Sequence, residues 1–292
     1  MRTIDAMALI LKKEGIEFLS AFPTTSVIEA IAATGVRPVI CRQERVGVHI
    51  ADGFARVTNG RKASVFAMQY GPGAENAYPG VATAFSDAVP MLFLPLGHPG
   101  ARESVTPMYS SLKSYDSVTK HIERINSPER AGASLRRAFS AMRMGKPGPA
   151  MLEIPADIAE MNVDPSIVDN YVPVKTAISG ADEDDVMEAA KTFLDARQPL
   201  ILAGQGVLYA EASAELTELA ELLQVAVATT MAGKSAFSEV HPLSVGSVSE
   251  VMNGAGLDYV RESDVLFGIG TSFTIQGMVT PIPAGKTMIH AT

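Results

Sequence analysis

Glu44 is the residue whose surroundings most invite chemistry. It stands in VICRQERVGVHIADGFARVTNG, Val39–Gly60, where an apolar run ends, Arg42 and Arg45 flank a lone acid, and a helical pattern begins at once. A partly desolvated carboxylate at such a junction can share or transfer a proton. A surface ion pair, or the favourable field at a helix N-terminus, explains the same placement. Two other stretches carry reactive or ligand-facing groups. Gly71-Pro72-Gly73-Ala74-Glu75-Asn76 is either a plain tight turn or a place where backbone comes close to a ligand. The polar loop from Leu96 to Ser111 holds His98, the best placed for substrate contact among His49, His98, His121, His241 and His290. These five histidines lack metal-ligand spacing, so no metal site is expected. His49 is expected to pack. Cys41 is read as a buried strand-end thiol, with a thiol activated by Arg42 as the alternative.

The pattern around these residues predicts alternating helices and strands. Helices are expected over 3–14, 25–34 (capped by Thr24 or Thr25), 44–58 and 77–86. A further helix is expected over 127–144, with Ser127 as cap and Pro128 first. Strands are expected over 18–22, 36–41, 63–68, 91–96 and 150–154, with GPGAEN as a loop. Single helices between apolar strands imply parallel pairing, both faces covered, in a doubly wound sheet. Ligands then bind beyond the carboxyl ends of the strands, where Glu44, GPGAEN and the Leu96 loop all fall. Residues 161–182, prolines included, read as a linker between a domain at 1–160 and a second one at 183–292. The second carries helices over 184–196 and 212–223 and strands over 199–203, 225–229, 264–270 and 286–290. The fold class is α/β, two doubly wound parallel-sheet domains, the second Rossmann-like.

Bulk properties narrow the functions. Of 292 residues 47% are hydrophobic and 19% charged, and the net charge is -8. An acidic chain with no basic run suits neither nucleic acid nor an anionic membrane. One cysteine excludes an internal disulfide. No signal peptide or apolar run of spanning length is evident, so a soluble, cytoplasmic protein is expected. No G-x-G-x-x-G follows a strand, which weighs against a dinucleotide-dependent dehydrogenase.

Three blocks, R-Q-E-x-x-G-x-x-x-A-D-G-F-A-R (Arg42–Arg56), G-P-G-A-x-N (Gly71–Asn76) and A-x-x-D-x-V-P (Ala84–Pro90), resemble the pyrimidine-binding domain of thiamine-diphosphate enzymes. The group is that of acetolactate synthase, benzaldehyde lyase and oxalyl-CoA decarboxylase. Gly145–Asp157 resembles the end of that domain. Leu202–Val207, Thr229–Lys234 and His241–Leu243 are similar to the central domain. The resemblance implies a decarboxylase or carboligase of 2-oxo acids. Its Glu44 would favour the imino tautomer of the cofactor aminopyrimidine, with Arg42 and Arg45 orienting it or merely lying at the surface. Gly71, Pro72, Gly73 and Asn76 would lie at the cofactor. It further implies a homodimer or homotetramer, with Mg²⁺ held by a third, diphosphate-binding domain.

No G-D-G motif occurs in the sequence, so that third domain reads as missing from it, and the central domain reads as cut off at KTMIHAT. This chain alone is expected to be inactive. The substrate-side positions depart from the family patterns: Pro23, Thr24 and Thr25 replace a P-G pair, and Ser110 and Ser111 stand near where paired histidines or an F-Q-E element occur. Together with His98 they are the substrate candidates. Ser272 stands where flavin-carrying relatives have arginine, which weighs against FAD. GQGV at Gly204–Val207 is a strand–helix connection or a nucleotide-binding turn. A non-catalytic nucleotide-binding or regulatory subunit of the same fold is the alternative function.

Overall fold

The computed structural model describes the chain except for residues 177–178, 250, 252–253 and 275–281. It forms two compact units, Met1–Ile178 and Ser179–Thr292. The first runs α1 (Thr3–Lys13), β1 (Phe18–Ala21), α2 (Thr25–Ala33), β2 (Arg37–Ile40), α3 (Glu44–Val57), β3 (Val65–Met68) and α4 (Pro72–Ser86). It continues through β4 (Leu92–Gly97), α5 (Ser111–Tyr115), β5 (His121–Arg124), α6 (Ala131–Arg143), β6 (Ala150–Pro155), α7 (Ala156–Glu160) and α8 (Ser166–Asp169). The strands form one sheet in the order β2-β1-β3-β4-β6-β5. Every pairing is parallel.

Period-two alternation divides the core. Val65, Ala67, Leu92 and Leu94 face the cluster of α1, α2 and α6, with Ile10, Leu11, Ile31 and Phe139. Phe66, Met68, Met91 and Phe93 face the cluster of α3, α4 and α5, with Val48, Val81 and Tyr115. Strands covered on both faces read as unbroken apolar runs, which is why they were legible. β5 was not: HIER lies at the sheet edge, and all four residues are only half-buried. Ser127 precedes the expected helix without a side-chain cap. A 3-10 turn at Pro128–Arg130 leads into α6 instead.

The stretch from Met161 to Val174, read as part of a linker, packs on the first unit. Thr3 N–H donates to Met161 C=O at 2.8 Å, and Val163 N–H to Met1 C=O at 2.9 Å. The fully buried Glu14 side chain accepts from Tyr171 Oη (2.5 Å) and Arg143 Nη1 (2.7 Å). With Val174 N–H, which donates to the same carboxylate at 3.2 Å, these three partners satisfy a group that would be costly to bury unpaired.

The second unit comprises α9 (Glu183–Leu194), β7 (Pro199–Ala203), α10 (Gln205–Tyr209), α11 (Ser213–Leu223), β8 (Ala226–Thr229) and β9 (Ser244–Ser247). It ends with α12 (Gly254–Glu262), β10 (Val265–Ile269) and β11 (Thr287–Ala291). Its parallel sheet has the order β11-β10-β7-β8-β9. Asp182 Oδ1 caps α9, accepting from Asp184 N–H at 2.9 Å. β9, with the sequence SVGS, escaped the sequence pattern for the same reason as β5: it is a polar edge strand. Both units are doubly wound α/β domains. Among the described residues no helix is long and apolar enough to cross a membrane.

Candidate cofactor-binding site

In the first sheet the chain builds outward from β1 to β2, then returns across it to β3. The carboxyl ends of β1 and β3 therefore flank the switch point, where open α/β sheets hold ligands. Glu44 opens α3 beside this crevice and is 6% exposed. Its Oε2 accepts a hydrogen bond from Asn76 Nδ2 at 2.6 Å. Oε1 accepts none among the described residues. Arg42 and Arg45 are exposed and neither pairs with Glu44, so they do not orient it. The partner is the asparagine one helix away.

GPGAEN is not a loop leading to a helix at Ala77. Pro72 already begins α4, as suits a residue without an N–H at a first helical position. Gly71 alone lies outside, at φ 62°, a backbone conformation that side chains disfavour. Gly73 and Asn76 thus belong to the first turn and a half of α4, facing Glu44. A Cβ on Gly73 would sit 3.3 Å from Glu44 Oε1 and 3.0 Å from Gln69 Cγ. The glycine keeps the space beside that oxygen clear.

The neighbouring residues explain how α3 and α4 hold this geometry. A Cβ on Gly47 would fall 2.3 Å from Phe66 Cε2, and one on Gly80 would fall 2.1 Å from Val48 Cγ1. Both glycines let the helices settle onto β3 and onto each other. At the far ends Arg56 joins Asp52 (2.9 Å) to Asp87 (2.8 Å). Tyr115, fully buried, donates its hydroxyl to Ala74 C=O and packs 4.7 Å from the Phe93 ring. Burial pushes the Tyr115 phenol well above its ordinary range. Residues 1–122 match the model of the thiamine pyrophosphate enzyme N-terminal TPP binding domain, and residues 186–292 match the model of the central domain. The chain belongs to the thiamine pyrophosphate enzyme family.

Similar proteins within the family agree. A probable acetolactate synthase large subunit of Methanocaldococcus jannaschii is 32% identical, over 94% of this chain and 48% of the relative. An acetolactate synthase of Arthrospira platensis is 29% identical, over 93% and 50%. A glyoxylate carboligase of Escherichia coli is 29% identical, over 99% and 50%. The chain spans about half the length of the curated relatives it matches.

The substrate candidates separate into three groups. Pro23 is exposed after β1, and Thr24 is buried with its hydroxyl unpartnered. The side chain of Thr25 lies outside the described residues. His98 follows β4 and rests on Tyr70, ring centroids 4.4 Å apart. Both its ring nitrogens are enclosed and, among the described residues, without partners. Ser110 caps α5 by accepting from Lys113 N–H. Ser111 donates to Glu153, which leaves its hydroxyl committed within the protein. His49, expected to pack, is exposed on α3.

Glu153 and Arg124 went unnoticed in the sequence. Glu153 is 6% exposed at the end of β6, and Arg124 Nη1 lies 3.2 Å from its Oε1. A lone acid inside the apolar strand AMLEIP was the available signal. On the same edge strand Glu123 meets Arg137 (Nε at 2.9 Å) and Ser134 (2.6 Å). Burial would raise the Glu123 carboxyl, but those bonds and the Arg137 charge prevail and lower it to about 2.

In the second unit the GQGV turn is occupied by its own fold. Gly206 N–H donates to Gly270 C=O at 2.8 Å, and a Cβ on Gly204 would fall 2.2 Å from that same oxygen. Phe273 covers Gly268, where a Cβ would meet its ring at 2.0 Å.

Proposed function

We propose that this chain supplies the pyrimidine side of a thiamine diphosphate site in a carboligase or decarboxylase of 2-oxo acids. The observation that carries the reading is the buried Glu44 carboxylate, bonded among the described residues to Asn76 alone, with its other oxygen beside the bare Cα of Gly73. Such a group fits a ring nitrogen with which it can share a proton. When bound, the cofactor supplies an electron sink at its thiazolium ring. Glu44 holds or returns the proton at its Oε1, Asn76 fixes the carboxylate, and Gly71, Pro72 and Gly73 admit the ring. The names of the similar proteins, acetolactate synthase and glyoxylate carboligase, favour small 2-oxo acids as substrates. Pro23, Thr24, Thr25, His98 and Ser110 are the residues proposed for the substrate side.

The diphosphate and its Mg²⁺ would be held by a domain beyond those matched here. A homodimer or homotetramer is part of the proposal. Val46, Val57 and Phe85 leave apolar surface on α3 and α4, and a Cβ on Gly53 would meet open space. FAD is disfavoured in the proposal, since Ser272 stands where flavin-carrying relatives have arginine. Product release from 2-oxo acids by the complete enzyme, with and without thiamine diphosphate, tests the reading. Turnover that requires the cofactor supports it. Cofactor binding with no turnover of any 2-oxo acid supports the non-catalytic alternative.

A further inference from the structure

The loop after β4 is pinned at three points by Arg124 and Asp157. Arg124 Nη2 donates to His98 C=O at 3.2 Å, and Arg124 Nη1 lies 3.3 Å from Glu103 Oε1. Gly100 N–H donates to Asp157 Oδ2 at 2.9 Å. Arg124 is itself held by the buried Glu153, whose other oxygen accepts from Ser111 at the start of α5. Gly97, the last residue of β4, lies directly on Glu153, where a Cβ would come within 2.8 Å of the carboxyl carbon. One buried carboxylate thus joins β4, β5, β6 and α5 just where His98 leaves the sheet. A buried charge with two polar partners is costly to place, and the Glu44–Asn76 pair does not use it.

We infer that Glu153 is a positioning residue for the substrate side of the site. Through Arg124 it fixes the backbone of His98, and through Ser111 it fixes the neighbouring helix. The His98 ring is held against Tyr70 with both nitrogens enclosed and, among the described residues, unpartnered; a substrate carboxylate or carbonyl oxygen entering beside it would supply the missing partner. Ser111 therefore belongs to the support and not to the substrate contacts. The inference rests on the proposed reading of His98 as substrate-facing.

The test is a double-mutant cycle on the complete enzyme, using Glu153→Gln, His98→Ala and the pair, with KM and kcat for the 2-oxo acid and the melting temperature of each. Glu153→Gln is expected to raise KM about tenfold, the size of a coupling near 1.4 kcal/mol, with kcat little changed. The pair should be no worse than His98→Ala alone. Multiplying effects, or a lower melting temperature with KM unmoved, would overturn the inference and leave the His98 reading intact. An unmoved KM in His98→Ala would remove that reading itself, and the inference with it. If Glu153→Gln does not fold, Ser111→Ala replaces it with the same expectations and the same contrary outcomes.

Discussion

Asn76 Nδ2 lies 2.6 Å from Glu44 Oε2, joining the first turns of α3 and α4 across the switch point of the sheet. The contact leaves the other carboxylate oxygen beside the bare Cα of Gly73. One oxygen is taken by the asparagine, and in the proposed reading the other faces the cofactor.

Asn76→Ala should therefore weaken the cofactor rather than the fold. A hydrogen bond to a charged group contributes roughly 1.5–3 kcal/mol, so affinity for thiamine diphosphate is expected to fall about tenfold or more. Calorimetric titration of the complete enzyme measures this. An unchanged dissociation constant would mean that Asn76 does not hold Glu44 for the cofactor.

Gly47 and Gly53 lie on the same helix and should respond oppositely. Gly47→Ala drives a Cβ into Phe66, an overpacking expected to cost ~1–3 kcal/mol in urea unfolding. Gly53→Ala meets nothing in this chain and should stabilise the isolated helix by up to about 1 kcal/mol. If α3 lies between subunits, Gly53→Ala should instead weaken the oligomer, which light scattering over a dilution series reads. An oligomer indifferent to Gly53→Ala would place the interface elsewhere.

Glu123 gives a pH prediction. Its carboxyl is lowered from 4.5 to about 2 when folded, so the unfolded chain binds that proton more readily. The resulting stability is fully present above about pH 4.5 and is lost as pH falls toward 2. The urea midpoint of the native chain should drop more steeply across this window than that of Glu123→Gln. Parallel slopes would contradict the assignment.

The alternating elements and the place of Glu44 could be read from the sequence because buried strands and amphipathic helices leave strong periodicities. HIER and SVGS left none, since they carry mostly polar or small residues at the sheet edge, whereas the edge strands β2 (RPVI) and β11 (TMIHA) keep apolar side chains that mark them. Pro72 reads as a turn residue, yet a first helical position suits it equally, and its local sequence does not choose between them. Arg42 and Arg45 are next to Glu44 in sequence but at the surface in space, whereas Asn76, thirty-two residues on, is its partner. Glu153 was hidden by its own strand. The acid's three contacts come from β4, β5 and α5, and no local pattern records them.

The central claim is that Glu44 activates the cofactor by sharing a proton with it. Hydrogen–deuterium exchange at C2 of thiamine diphosphate, measured on the complete enzyme and on its Glu44→Gln variant, tests this directly. The account predicts that exchange slows by about two orders of magnitude or more in the variant while the fold is retained, in line with the loss of a positioned proton-transfer group. Exchange at the native rate in a folded, cofactor-loaded Glu44→Gln enzyme would contradict it.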